Sequence, residues 1–456
     1  MIAFSKYAIL PCEIKSREFD SKLLLACFLA ERGWTSIVGS RNDIHLKLHR
    51  FQRSIYLGKD VRFSSGTIVK ILRLLGHRFL TMDEEALIFL SRERYRKARV
   101  DDRVFSSAEA LIAWGPENAL AWKEAAAYKG QPIHLTGNGR IDLLRPELRA
   151  LYGARCAELR AQYGRYILVN TNFGAINHFL GNLSANVKAE GGVSAVRGHD
   201  NGYLLHRQKV LASFVEMLPA LAARFADRKI ILRPHPSESH EFWSAIVKDC
   251  PNIEVSNEGN VVPWLLASEA LVHNGCTTGA EAYILGKMTV SYQPITSREF
   301  DLHVPNDLSL SAKTLPELFE MLEQIGKGSL SLNELQNDAR RAVLTNAISA
   351  SDGDLASERI ADVLDQFVAS EMKASANVLT WPAGAVFTAA RAAVKRFNQN
   401  RRGHKSNIAY TRHRFPQTEL PEVQSRINDF AKCLGRFSGI RVTQNSANIF
   451  QVTPGE

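Results

Sequence analysis

Two short segments in the second half of the chain carry residue types suited to holding and expelling a phosphate: Arg233-Pro234-His235-Pro236-Ser237-Glu238 and His273-Asn274-Gly275-Cys276-Thr277-Thr278-Gly279-Ala280-Glu281. Each follows an apolar run and opens a stretch of helical character. In an open parallel sheet the carboxyl ends of the strands form the ligand crevice, and a helix N-terminus there offers unpaired N–H groups and a positive dipole end to an anion. Two such corners predict a phosphate-bearing ligand. In the first, His235 stands between two prolines with Arg233 two residues earlier, a pairing able to neutralise a departing phosphate or protonate its oxygen. A buried histidine in a turn is the competing reading. In the second, Thr277, Thr278 and the free N–H groups would hold phosphate, with Gly275 and Gly279 permitting close approach. Thr278-x-x-Glu281 is also a capping box, which accounts for those two residues without a ligand. Cys276 is a candidate nucleophile, although a small buried thiol filling a tight turn is favoured. A third segment, Asp83-Glu84-Glu85, follows the apolar run Arg78 to Met82. Three successive acids there would repel one another, raise a pKa and prepare a general base; an exposed acidic turn is the alternative.

The elements that must position these residues are legible as short apolar runs alternating with helical patterns. Tyr7 to Leu10, Thr35 to Val38, Arg78 to Met82, Ala110 to Trp114 and Ile133 to Thr136 read as strands, with helical periodicity over Lys22 to Arg32, Ser65 to Leu75 and Glu117 to Tyr128. This is the βαβ rhythm of a parallel sheet. It pauses at Gly137-Asn138-Gly139-Arg140, where a hinge is expected between Gly137 and Arg145, and at an expected long polar helix from Asp142 to Tyr163. It then restarts with Tyr166 to Asn170, Lys229 to Leu232, Ile253 to Val255, Ala270 to Val272 and Met288 to Tyr292. Residues 172–201 read as a long loop of the kind that often forms a lid. The repeated pentapeptide at Ser16 to Asp20 and Ser297 to Asp301 lacks a surrounding repeat and implies no duplication. The expected fold is α/β, two Rossmann-like domains facing across a cleft, with a basic C-terminal helical extension. The expected divisions are 1–140, a linker helix at 141–164, a nucleotide-sugar-binding domain at 165–370 and a tail at 371–456.

Composition fits an ordinary globular chain: 456 residues, 45% hydrophobic and 23% charged, long enough for at least two domains. No signal peptide stands at the N-terminus, and no run approaches the ~18 apolar residues of a spanning helix, so a cytoplasmic location is expected. The six cysteines lack C-x-x-C spacing and indicate neither a zinc cage nor a disulfide framework. The formal net charge of +10 is concentrated. From Met372 to Thr418 there is no Asp or Glu, whereas Lys373, Arg391, Lys395, Arg396, Arg401, Arg402, Lys405, Arg412 and Arg414 lie within it. Trp381, Val386, Phe387, Ala390, Val394 and Phe397 recur there at helical spacing. An anionic inner-membrane surface engaged through residues 381–414 and a helix packed back onto the body are equally compatible with this pattern. Nucleic acid is disfavoured, because stacking aromatics are not interleaved with the basic residues and no binding module is recognisable.

The chain resembles the bacterial surface carbohydrate biosynthesis proteins, glycosyltransferases of the GT-B type. The resemblance rests on Glu13 to Leu24, Thr136 to Leu144, Arg233-Pro234-His235-Pro236 and His273 to Gly279, and runs from about Ile9 to Ser309 with a weaker echo at Tyr410 to Pro416. More distantly, Glu84-Glu85-Ala86, His235-Pro236 and Thr277-Thr278 are similar, in that order, to signatures of bacterial sialyltransferases and capsule Kdo transferases. Ala86 stands where those enzymes have glycine. The resemblance implies catalysis by Glu84 or Glu85, with His235, Thr277 and Thr278 holding the phosphate of a CMP-linked donor.

Together, residues and resemblance assign catalysis to Glu84, Glu85 and His235, and donor binding to Arg233, His235, Pro236, Asn274, Gly275, Thr277, Thr278, Gly279 and Glu281. No metal or other cofactor is expected. The expected activity is metal-independent transfer of a nonulosonic or Kdo-like ulosonic acid from its CMP conjugate to a glycan or lipid-linked glycan acceptor. A UDP- or GDP-sugar transferase or epimerase, a CDP-glycerol-type polyol-phosphate transferase and a non-catalytic assembly scaffold remain alternatives.

Overall fold

The computed structural model describes residues 6–179, 201–370, 380–401 and 407–455. Much of the expected lid and the tail residues Lys373, Arg402 and Lys405 lie outside the described residues. The chain forms two α/β units. One comprises Met1–Ala86, Tyr95–Leu151 and Thr345–Glu456, and the other Leu87–Arg94 and Tyr152–Leu344.

The first unit is built on β1 (Tyr7–Cys12), β2 (Thr35–Ser40), β3 (Ile55–Gly58), β4 (Arg78–Met82), β5 (Ala110–Ala113) and β6 (Ile133–Leu135). These strands are parallel in the order β2-β1-β3-β4-β5-β6, one of the two common doubly wound orders. Their apolar runs are continuous because both faces are covered. The Asp20–Glu31 helix is buried almost all round, from Ser21 to Ala30. Such a helix needs cover on every side, and the C-terminal segment supplies it. The Ala356–Ser370 helix contributes Ile360 and Leu364, and the Leu420–Leu434 helix adds Val423, Ile427 and Phe430 to the same core. Phe28 meets Phe437 edge-on at 5.0 Å.

The segment expected as a basic helical tail packs back onto the first unit, one of the two alternatives its pattern allows, and departs from the expectation in ending as strands. β13 (Arg441–Ser446) and β14 (Ile449–Thr453) form a hairpin whose second strand pairs antiparallel with β2, so the C-terminus completes the first sheet. Gly39 admits this strand. Its φ is +152°, and a Cβ there would lie 2.0 Å from Asn448 O. The expected linker helix is also broken, into Gly139–Asp142, a 3-10 stretch at Pro146–Tyr152 and Gly153–Tyr163. Pro146 lacks the N–H that a continuous helix would use. The unit boundary falls at Leu151/Tyr152 rather than between 137 and 145. Asp142 is fixed within the first unit by accepting the N–H groups of Ala356 and Ser357, at 2.7 and 2.8 Å.

The second unit has β7 (Tyr166–Asn170), β8 (Lys229–Arg233), β9 (Ile253–Val255), β10 (Ala270–His273), β11 (Thr289–Tyr292) and β12 (Leu310–Ala312). All pair in parallel, in the order β9-β8-β7-β10-β11-β12. Counted from β7 this is 3-2-1-4-5-6, the Rossmann order. Phe173, Phe214, Met217 and Trp243 lie in its core. The order reverses between β7 and β10, where such folds open a crevice.

Candidate functional sites in the two units

In the second unit the ends of three strands stand abreast: Asn170 pairs in register with His273 on one side and Arg233 on the other. The two expected anion corners turn out differently. After β8, the carboxylate of Glu238 already occupies the corner. It accepts the N–H groups of His235 and Phe173 at 2.9 and 3.0 Å, the Thr171 hydroxyl at 3.0 Å and Trp243 Nε1 at 2.9 Å. Burial pushes its pKa up against these donors. The first corner is therefore satisfied by the chain's own carboxylate, which corrects the expectation of a ligand anion there. Arg233 is likewise engaged. Its Nη1 and Nη2 donate to the carbonyls of Glu258 and Gly259 at 3.0 and 3.3 Å, and its guanidinium lies 4.8 Å from the Trp264 ring centroid. Burial lowers its pKa to about 10. Pro236 is exposed at the turn and His235 half-buried. The Ser237 N–H lies 3.2 Å from His235 Nδ1. A backbone N–H can only donate, so Nδ1 accepts and the neutral ring carries its proton on Nε2.

The corner after β10 is different. Cys276 is the N-cap of the Thr277–Ile284 helix and makes no side-chain capping bond. Thr277 is thus the first helical residue and Thr278 the second, so the expected Thr278-x-x-Glu281 capping box does not form. Glu281 is buried within the helix. Cys276 is buried and its pKa is raised by that burial, as befits an inert thiol. Gly275 has φ +79°, a backbone that side chains rarely adopt. Gly279 serves packing: a Cβ there would lie 2.6 Å from His273 Nε2. His273 itself is fully buried, accepts the Gly275 N–H at Nδ1 (3.0 Å) and lies 2.8 Å from Ser309 Oγ. Burial lowers its pKa to about 3, so it is a neutral turn-former.

Beside this helix N-terminus lies an unsatisfied polar group. Asn274 is 5% exposed, yet among the described residues neither its Oδ1 nor its Nδ2 has a hydrogen-bond partner, and Asn170 Oδ1 across the strand ends is likewise without one there. Buried polar groups are rarely left this way except where a ligand or water completes them. Arg207, from the Asn201–Arg224 helix, binds the loops after β7 and β10 together. It donates to Asn172 O and, at 3.3 Å, to Asn274 O, with its guanidinium 4.8 Å from the Phe173 ring centroid. One residue earlier, His206 Nε2 lies 2.7 Å from Asp301 Oδ1, placing the second pentapeptide in a turn unlike the helical turn of the first. Nothing in the local sequence marks Arg207, because it lies within a helix and acts on loops distant along the chain. A groove of about 610 Å³ at the amino ends of β7 and β8, lined in part by Arg165, Asp227 and Lys229, lies at the opposite end of the sheet.

In the first unit, the acidic run after β4 does not self-repel, because each carboxylate has its own cation. Asp83 accepts Arg99 Nε at 2.6 Å and the Tyr95 hydroxyl at 3.0 Å. Glu84, 1% exposed, pairs with buried Lys22 at 2.7 Å and accepts Asn138 Nδ2 at 3.1 Å, while Arg140 donates to its carbonyl at 3.2 Å. Glu85 pairs with Arg17 at 3.0 Å and its side chain is 40% exposed. Burial pushes both glutamates up, but Lys22 and Arg140 outweigh it at Glu84, and Arg17, Arg140 and Arg99 bring Glu85 down to about 2. The expected raised pKa is thereby corrected. Ala86 is buried, and its N–H closes a tight turn onto Asp83 O at 3.1 Å, so alanine is accommodated where the similar enzymes have glycine.

The partners are not random. Arg17 and Lys22 belong to the Glu13-to-Leu24 segment, and Asn138 and Arg140 to the Thr136-to-Leu144 segment, both of which carried the family resemblance. They converge on Glu84 and Glu85. Nearby, at the β1/β3 switch point, Glu18 pairs with Lys59 at 3.1 Å, and Glu13 pairs with Arg41 at 3.1 Å and with Arg414 of the C-terminal segment. Among the described residues no group of three His, Cys, Asp or Glu side chains is arranged to hold a metal ion.

No protein-family model matches the chain, and no curated protein matches it. Among solved structures, the chain is similar to the wall teichoic acid polymerase TagF soaked with CDPG, at 12% identity and a TM-score of 0.47, over 82% of this chain and 91% of that one. It is also similar to the Methanocaldococcus jannaschii UDP-GlcNAc 2-epimerase in complex with UDP-GlcNAc and UDP, at 12% identity and 0.46, over 80% and 100% of the two chains. The S. aureus MnaA–UDP structure is similar at 12% identity and 0.46, over 81% and 98%. Likenesses of this size carry no functional argument, which leaves the chain's own residues to supply one.

Proposed function

We propose that the chain is a glycosyltransferase that binds a nucleotide-activated sugar through its phosphate at the carboxyl ends of β7 and β10, and passes the sugar to a surface-glycan acceptor. The observation that carries this is the Asn274 carboxamide, buried and without a partner among the described residues, beside the N-terminus of the Thr277–Ile284 helix at the switch point. A phosphate there would accept from the helix N–H groups, the Thr277 hydroxyl and Asn274 Nδ2. His235 Nε2–H is the candidate donor to the leaving oxygen. Glu85 is the candidate acceptor base, since Glu84 is sealed from solvent and held by Lys22. For Glu85 to take a proton, its pairing with Arg17 must loosen in the substrate complex. The reading requires no metal, so turnover is expected to survive EDTA.

The donor proposed is a CMP-linked ulosonic acid. The sequence signatures at Glu84-Glu85, His235-Pro236 and Thr277-Thr278 suggest it, and a single open anion corner suits a nucleotide monophosphate better than a diphosphate, because Glu238 fills the other. Calorimetric titration with CMP, CDP, UMP, UDP and GDP tests this, alongside Asn274→Ala and His235→Ala. Tightest binding of CMP, weakened by Asn274→Ala, is expected. Preference for a diphosphate would transfer the reading to a UDP-, GDP- or CDP-linked donor, and no nucleotide binding at all would discard it.

A further inference from the structure

The Trp381–Asn398 helix is packed inside out. Its buried face is small and polar, with Gly384, Thr388 and Ala392 against the body. Gly384 fits tightly: a Cβ there would lie 2.8 Å from Leu75 Cδ2 on the Gly66–Leu75 helix. Its outward face is apolar, with Val386 70%, Val394 61% and Phe397 79% exposed and Phe387 exposed beside them, whereas Trp381 at the first turn shares the stripe of Gly384 and Thr388. A soluble helix normally buries its apolar stripe and exposes its polar one, so this face calls for cover. The charge around it says what kind. Lys70 and Arg73 of the neighbouring helix and Arg396 and Arg401 are exposed, and none of them is in an ion pair with Asp or Glu among the described residues. Lys70 Nζ lies 5.6 Å from the Phe387 ring centroid, at the edge of the apolar face. No described helix is long and apolar enough to cross a membrane.

We propose that this helix docks in the plane of an anionic lipid surface, with Val386, Phe387, Val394 and Phe397 entering the acyl boundary and Lys70, Arg73, Arg396 and Arg401 meeting the headgroups. An apolar face ringed by unopposed cations matches the two contributions of interfacial helices, buried apolar area and attraction to anionic lipid.

Trp34, Trp114, Trp122, Trp243 and Trp264 are fully buried, and Trp381 lies on the body side of the helix, so the outward face is given its own reporter by Phe397→Trp in a Trp381→Phe background. Brominated lipid in phosphatidylglycerol-containing vesicles is expected to quench this reporter, with little quenching in pure phosphatidylcholine. In flotation of the otherwise wild-type chain, substituting Lys70, Arg73 and Arg396 by Gln is expected to weaken binding about fivefold per charge, the ratio set by ~1 kcal/mol per basic residue. Replacing Val386, Val394 and Phe397 by Ser is expected to abolish it. An unquenched reporter, or binding unchanged in both variants, would overturn the proposal. So would a wild-type dimer that the serine variant dissociates in sedimentation, since a second copy would then be the cover. Should the serine variant melt early, quenching of the reporter decides alone.

Discussion

Lys22 Nζ lies 2.7 Å from Glu84 Oε1 with both side chains removed from solvent, joining the first helix to the end of β4. Truncating one member of such a pair leaves the other charged and unsolvated, at a typical cost of about 3–5 kcal/mol, whereas replacing both with apolar groups is often near neutral. Glu84→Gln is therefore expected to lower the melting temperature sharply, and Lys22→Met with Glu84→Gln to recover much of it. An unchanged melting temperature in Glu84→Gln would remove the structural role assigned to this glutamate.

Glu85 should behave differently. It is partly exposed and held near pKa 2 by Arg17 and its neighbours. A folded-state pKa below the unfolded value means the ion pair stabilises fully above about pH 4.3 and loses that contribution as pH falls toward 2. Glu85→Gln should therefore lower the melting temperature at neutral pH, but far less than Glu84→Gln because the pair is partly exposed and screened by solvent, while CMP release from donor and acceptor should fall by about 10²–10⁴, the usual range for a lost general base. Arg17→Gln should raise the Glu85 pKa and move the acid limb of the pH–rate profile upward. Wild-type turnover in Glu85→Gln would exclude it as the base.

Much of this arrangement was legible in the sequence, and the omissions share a cause. Runs such as Tyr166 to Asn170 announce themselves because strands buried on both faces are continuously apolar. Ile55–Gly58 is too short to stand out, and the place of the β13–β14 hairpin in the sheet is set by the pairing of β14 with β2, more than 400 residues away along the chain. The continuous apolar run Leu23 to Ala30 needs cover on every side, and the segments that supply it are distant along the chain. At the site, the His235 and Thr277 corners were visible, but the carboxylate that fills the first comes from Glu238 and depends on how the loop folds back. The acidic run misled for a related reason: Asp83, Glu84 and Glu85 are adjacent in sequence, while Arg99, Lys22 and Arg17, which decide their pKa values, are not.

Gly279 offers a separation of packing from binding. The His273 ring stands where a Cβ would go, at 2.6 Å, and the ring is fixed by its bonds to the Gly275 N–H and Ser309. Gly279→Ala is expected to cost about 1–3 kcal/mol, as overpacking of a filled core does. Because His273 sets the turn that carries Asn274, nucleotide affinity should fall along with the melting temperature. Full stability in the alanine variant would show that the ring can shift.

Arg207 gives the sharpest test of the second-unit crevice. It holds the loop after β7 through Asn172 O and the loop after β10 through Asn274 O, so it fixes the backbone that presents the unpartnered Asn274 carboxamide. A lysine keeps the charge but presents a single ammonium where the planar fork reaches two carbonyls. Arg207→Lys is expected to weaken CMP binding about tenfold, equivalent to ~1.4 kcal/mol, with a small change in melting temperature. Arg207→Ala should weaken it further and also lower the melting temperature, since the guanidinium packs on Phe173. Calorimetric titration at matched temperature distinguishes the cases. Undiminished affinity in Arg207→Lys would mean that the two loops hold their geometry without the clamp, and that Asn274 is positioned by the β10 turn alone.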